Sequence, residues 1–280
     1  MLEVDQTEFR LWARYVYDIS GISLEPAKSY LIESRLGPLL NEYACRKFSD
    51  LYQKSKMDST RTIEKRIIDQ ITTNETFFFR DNAPFEMLKY KILPDIVDRK
   101  TQNAFSNSPI SLRIWSAGCS TGQEVYSIAI ALQEILGDLN PYNVTVLGTD
   151  ISSLAIARAS QGMYSRFEMD RGLTSERMER YFVPEGGMWK VKDEIRSLAT
   201  FKKMNLMQPF LGLGKFDIIF CRNVAIYFMM DDRKKLFRHI EDILAADGCL
   251  IIGSTESLTG IAPRFEPKRH LRSVFYQLKK

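Results

Sequence analysis

The sequence predicts an α/β protein in two parts: an all-α N-terminal domain over residues 1–97, and from 111 to 280 a mostly parallel sheet with helices on both faces. Three observations predict it. Apolar residues recur at helical spacing through the first third of the chain, and strand-like and helix-like patterns then alternate. Between them "DRKTQNAFSNSPI", residues 98–110, is polar, aperiodic and ends in a proline, and reads as a linker.

In the first domain Phe9, Trp12, Ala13 and Val16 mark one helix, and "GISLEPAKSYLIESRL" supplies a glycine stop and a proline opening the next. "SDLYQKS" opens a helix after Ser49 or Asp50, and "STRTIEKRIIDQI" another after Ser59 or Thr60. Beyond the linker "SLRIWSAG" is a strand, followed by the helix "TGQEVYSIAIALQEIL" with Val125, Ile128, Ala129, Leu132 and Leu136 on one face. "NVTVLGTD" is a strand, a helix follows near 152–161, and "ATFKKMNL" and "FDIIFCRN" are further strands. "DDRKKLFRHIEDILAADG" is a helix with acids at its start and Gly248 as its expected stop. "CLIIGST" is a strand, and "RSVFYQLKK" the expected antiparallel edge. Between 181 and 198 "YFVPEGGMWKVKDEIRSL" breaks the alternation as a small β insertion, whose "MWKVK" is expected to offer a free edge.

Composition narrows the function. The 280 residues are 45% hydrophobic and 26% charged, ordinary for a soluble globular protein. The opening "MLEVDQTEFRLW" lacks the basic and apolar regions of a secretion signal, and no apolar run reaches membrane-span length, so a cytoplasmic protein without membrane insertion is expected. The 4 cysteines form no CxxC pair and there are only 2 histidines, so no metal site is expected and His-based acid–base chemistry is disfavoured. Net charge is +4, and residues 1–70 carry 11 basic and 11 acidic side chains, which argues against a nucleic-acid-binding head.

In such a sheet ligands bind beyond the carboxyl ends of the strands, where the strand order reverses. "LRIWSAGCSTGQE" ends a strand there. Gly118 and Gly122 would let a ligand approach the backbone, unless they serve only a tight strand-to-helix turn. Asp150, ending the next strand, suits the two hydroxyls of an adenosine ribose, or else caps the following helix. Arg222 and Asn223 follow a buried strand and Tyr227 lies one helical turn on, as a site residue or a core aromatic. "TTNETFFFRD", residues 72–81, is either a helix end plugged into the domain interface or a lid whose polar side chains reach the ligand.

Taken in order, "TTNETFFFRD", "IWSAGCSTGQEVYSIA", "LGTDIS", "NLM", "FDIIFCRNVAIYF" and "LIIGSTESL" resemble the chemotaxis-receptor glutamate methyltransferases, the CheR family, over nearly the whole chain. The resemblance implies a Rossmann-like S-adenosylmethionine-dependent methyltransferase acting on glutamate side chains in the cytoplasmic helices of methyl-accepting chemotaxis receptors. Carried over by position, the cofactor shell would be Asn74, Thr76, Arg80, Gly118, Glu124, Asp150, Asn205, Leu206, Arg222 and Asn223. Arg80, claimed also by the cofactor, and Tyr227 would hold the acceptor carboxylate. Whether Glu124 meets the methionine ammonium or the ribose stays open.

The family's second helix is usually strongly basic and faces the receptor. Lys28 and Arg35 fit that pattern, while Gly37 and Pro38 stand where some relatives carry paired arginines. The "VPEGGMWKV" insertion is shorter than the loop with which some relatives grip a receptor's C-terminal pentapeptide, so docking mainly through the N-terminal helices and the mouth of the active site is expected. A monomer is expected as well.

Rival readings lack their marks. A nucleic-acid methyltransferase should show a basic head and an Asn/Asp-Pro-Pro-aromatic tetrad in place of "RNVAIYF". A nicotinamide dehydrogenase should show a fuller GxGxxG and a shorter gap than that from Gly118 to Asp150. A non-catalytic binding module should have lost part of the pocket.

Overall fold

A computed structural model describes residues 4–102, 108–271 and 273–279. Helices α1 (Gln6–Ser20), α2 (Ser29–Glu42), α3 (Phe48–Met57) and α4 (Thr62–Ile71) open the chain. Asp5 caps α1 by accepting from the Thr7 and Glu8 amides, worth about 1 kcal/mol. Gly21 ends it at φ 79°, in the left-handed region that spares glycine the Cβ penalty. Phe9, Trp12 and Val16 pack on Ile32, Leu36, Ile63 and Ile67, one apolar core for four helices.

Helices α5 (Asn82–Met87) and α6 (Leu93–Gln102) follow, joined by a π-turn over Leu88–Ile92. There the Leu93 amide donates to the Leu88 carbonyl, just before Pro94, which has no N–H to continue the ordinary ladder. The expected linker is therefore helical as far as Gln102, and 103–107 lie outside the described residues. Ion pairs, not an apolar stripe, hold that end: Arg99 to Asp247 at 3.0 Å and Lys100 to Asp217 at 2.8 Å. Phe85, Leu88 and Ile96 belong to the sheet's core, so α5 and α6 pack with the sheet, not with the first four helices.

The sheet domain runs β1 (Ile110–Ala117), α7 (Gln123–Leu136), β2 (Tyr142–Asp150), α8 (Ser153–Gln161), β3 (Met163–Tyr164), α9 (Arg166–Asp170) and α10 (Ser175–Tyr181). Then come β4 (Phe182–Glu185), β5 (Met188–Val191), α11 (Asp193–Arg196), β6 (Ala199–Lys203) and β7 (Phe216–Cys221). The chain closes with α12 (Met230–Ile243), β8 (Leu244–Ile252), β9 (Phe265–His270) and β10 (Ser273–Leu278). The large sheet has the order β6-β2-β1-β7-β8-β10-β9, parallel from β6 to β8. Strand order reverses at β1, which places a crevice at its carboxyl end.

Three expectations are corrected. Gly248 does not stop α12: the helix ends at Ile243, and Leu244 already pairs with Phe216 across a bulge. A Cβ on Gly248 would sit 2.9 Å from the Asp217 carbonyl, so the bulge, not a helix cap, requires glycine. The terminal strand β10 is antiparallel, but β9 covers it and forms the edge. In the insertion "MWKV" is the central strand, flanked by β3 and β4, because a two-residue Gly186-Gly187 turn folds it onto β4.

Candidate active site

A cavity of about 1140 Å³, its mouth included, opens at the ends of β1, β2 and β7, under residues 72–77 and beside Ser20 and Ile22 from the end of α1. Asn74, Thr76, Arg80, Gly118, Glu124, Asp150, Asn205, Leu206, Arg222, Asn223 and Tyr227 all line it. Lys28 and Arg35 do not.

The floor is built at β1. The Gly118 and Cys119 amides donate to the Thr149 carbonyl, joining two strand ends, and the Ser120 amide donates to Asp150 Oδ2 at 2.9 Å. Asp150 Oδ1 accepts from the Ser152 amide at 2.9 Å, and the carboxylate keeps acceptor capacity for a ligand. Burial pushes the Asp150 carboxyl above its usual range, and these backbone amides pull it back. The two glycines divide their duties. Gly118 lines the cavity, where a Cβ would meet Val224 at 2.9 Å. A Cβ on Gly122 would meet Ala159, so that glycine lets α7 approach α8.

Glu124, in the first turn of α7, accepts from Ser116 Oγ and Arg222 Nη1, each at 2.8 Å. Arg222 Nη2 reaches the Arg80 carbonyl and Asp81 Oδ2, also at 2.8 Å. One buried guanidinium thus ties the roof segment to the sheet.

"TTNETFFFRD" plugs the sheet's own core, not the domain interface, and its polar side chains line the cavity. Phe78 packs edge-on against Tyr164 and Phe182, and the Phe79 amide donates to Ser127 Oγ, so these two phenylalanines are plugs. Asn74, Thr76, Phe77 and Arg80 face the cavity. Arg80 lies over the Phe77 ring, and its Nη1 donates to the Glu75 carbonyl at 3.1 Å. Four non-glycine residues around the cavity hold positive φ: Phe79, Asp81, Ser120 and Asn223. Such residues cost on the order of 1–3 kcal/mol each and persist only where surroundings enforce them.

Asn205 Oδ1 accepts from the Met207 amide at 2.9 Å, and its amide nitrogen reaches the Ile19 carbonyl, bracing α1 against the loop after β6. Arg35 donates to the Ile71 carbonyl and to Thr73 Oγ1, at the base of the roof. Lys28 is half exposed, with Glu25 at 3.7 Å. Sequence reasoning missed Ser120, Ile151 and Met204, which also line the cavity. Their one signal was position, since each directly follows or adjoins a strand end.

Two family models cover the chain. The CheR methyltransferase all-alpha domain matches residues 7–72, and the CheR methyltransferase SAM binding domain matches 74–272. The chain belongs to the CheR methyltransferase family. A chemotaxis protein methyltransferase of Vibrio cholerae is 37% identical, covering 99% of each chain. Cher2 of Pseudomonas putida is 36% identical over 99% of this chain and 98% of its own, and a Pseudomonas aeruginosa chemotaxis methyltransferase 35% over 97% and 98%.

The cofactor of this CheR-family chain is S-adenosylmethionine, and the residues present fit it. Asp150 offers acceptor capacity suited to a ribose diol, and Ile151, Met204 and Leu206 beside it offer an apolar berth for a base. Among the described residues no His/Cys/Asp/Glu group is arranged to hold a metal ion, and no helix is long and apolar enough to cross a membrane.

Proposed function

We propose that this chain methylates glutamate side chains on chemotaxis-type receptors, giving glutamate methyl esters. The observation that carries the reading is the state of the acids lining the cavity. Glu124 is occupied by Arg222 and Ser116, Asp150 is committed to backbone amides and the ribose, and Glu75 lies 3.4 Å from Arg171. Among the described residues no histidine or lysine lines the cavity, so no nitrogen base stands ready to deprotonate an amine. A carboxylate acceptor needs none, being ionised near neutral pH with an ordinary pKa of about 4.3.

When bound, the cofactor supplies an electrophilic methyl group on a sulfonium. The chain's own residues align and exclude water, and such positioning is worth up to roughly 7–11 kcal/mol. Asn74, Thr76, Gly118, Asp150, Asn205, Leu206 and Asn223 hold the cofactor, Asp150 at the ribose. Arg222 and Glu124 set the spacing between roof and floor. Arg80, with one Nη engaged at the Glu75 carbonyl, keeps further N–H donors for the acceptor carboxylate, and the Tyr227 hydroxyl is the second donor. Lys28 lies on the receptor-facing side, and Arg35 acts chiefly by bracing the roof.

Peptide mass spectrometry of receptor incubated with enzyme and cofactor tests the reading. Methyl esters on glutamate side chains are expected. Methyl groups on lysine, on the N-terminus or on nucleic acid would overturn it.

A further inference from the structure

Beyond β8, Glu256 holds a part-buried carboxylate that no role above uses. Its Oε2 accepts two backbone N–H groups, from Asn223 at 2.8 Å and from Gly253 at 2.7 Å. The first lies in the loop after β7 and the second in the loop after β8, so one oxygen joins two neighbouring strand ends. Asn223 is held there at φ 55°, a conformation that needs enforcement. The space is closed: a Cβ on Gly253 would lie 2.4 Å from Glu256 Oε2 and 2.9 Å from the Asn223 side-chain nitrogen. Asn223 is also the pivot of the site. Arg222 before it reaches the roof and Glu124, while the Ala225–Tyr227 turn after it carries the Tyr227 hydroxyl.

We propose that Glu256 is a positioning residue for methyl transfer, fixing the Asn223 corner so that Arg222 and Tyr227 keep their spacing. It touches neither cofactor nor acceptor and acts only through the two amides. The proposal deepens the glutamate-methylation reading and rests on it for the role of Tyr227. Burial pushes this carboxyl above its usual range, the Asn223 and Gly253 amides pull it back, and Arg222 and Arg233 are the cations facing it. Two amide donors on one oxygen therefore matter more here than the charge itself, and a neutral amide oxygen of the same reach should serve.

The test compares Glu256→Gln, Glu256→Asp and Glu256→Ala in the full chain. Gln keeps an acceptor at the same reach, whereas Asp keeps the charge but withdraws it by one methylene. Turnover on receptor should fall about ten- to a hundredfold in the Asp and Ala variants and stay within about threefold in Gln. Because Asn223 is among the residues assigned to the cofactor, affinity for S-adenosylhomocysteine, read by calorimetry, should fall as well, but by a smaller factor than turnover. Hydrogen exchange supplies a readout independent of activity: the Asn223 amide should exchange faster in Asp and as in wild type in Gln. If Ala fails to fold, the Asp–Gln pair decides. Equal loss in Gln and Asp, or turnover and cofactor affinity falling by the same factor, would overturn the positioning role. A wild-type enzyme that labels no receptor would instead overturn the reading beneath it, leaving the exchange result to judge the corner.

Discussion

Arg222 Nη1 donates to Glu124 Oε2 across 2.8 Å, with 1% of the arginine side chain and 13% of the glutamate side chain exposed. The same guanidinium holds the Arg80 carbonyl and Asp81, so the pair is the joint between a roof that precedes α5 and a floor that begins α7. Desolvating both charges offsets much of their attraction, and the pair's value lies in holding two segments at a set distance.

Removing one partner leaves the other buried and unpaired. Arg222→Ala should lower stability by about 3–5 kcal/mol in denaturant titration and weaken cofactor binding. Arg222→Lys should rescue only part of it, because a lysine presents one point charge where three acceptors are spread across a planar fork. Full stability in the alanine variant would show that the roof is held elsewhere.

With Asp150 at the ribose, as proposed, cofactor binding should depend on pH. A carboxyl raised by burial favours folding below its unfolded pKa, and that contribution is lost as pH rises through the folded value. For the ligand the sign reverses, since the diol needs the ionised form as acceptor. Affinity for S-adenosylhomocysteine should therefore fall as pH drops through the raised value, above the ordinary 3.8. Asp150→Ala should bind more weakly by about 1.5–3 kcal/mol and lose that dependence in calorimetry. Affinity that stays flat in the wild type as pH falls to 3.8 would remove Asp150 from the ribose.

The strand ends and the residues on them were legible in the sequence, because alternation of strand and helix fixes where each carboxyl end falls. What stayed illegible was long-range. Arg222 and Glu124 lie 98 residues apart, and nothing local to either says that they pair. Strand β9 escaped because "FEPKRH" holds a proline and alternates weakly, which an edge strand tolerates and an inner one would not. At 244 the helical pattern lost to pairing with Phe216, a tertiary contact that overrides local propensity. The glycines of the opening loop looked alike in sequence, yet one faces the cavity and the other a helix.

Receptor docking separates the N-terminal helices from the small sheet. The exposed edge is β4, whose Pro184 has no N–H, and its Gly-Gly turn is too short to clasp a peptide. Deleting the receptor's C-terminal tail should leave methylation little changed. Lys28→Glu should slow it severalfold at low ionic strength, with the effect fading in salt because rim charges act mainly on association rate. Arg35 is unsuited to that comparison, since its reversal would also disturb the roof. A large tail effect with no response to Lys28→Glu would place docking on the small sheet.

Tyr227→Phe keeps the ring and removes one hydroxyl at the cavity wall. Turnover should fall by about tenfold or more with little change in S-adenosylhomocysteine affinity, the signature of a group that meets the acceptor. Equal losses in both would move Tyr227 into the cofactor shell.

Transfer of label from methyl-labelled S-adenosylmethionine to receptor-containing membranes, followed by mild alkali, tests the central claim most directly. Methyl esters hydrolyse to volatile methanol, whereas methylated amines and bases do not. Label should appear on receptor protein and leave as methanol. Label that survives alkali, or that resides on nucleic acid, would contradict it.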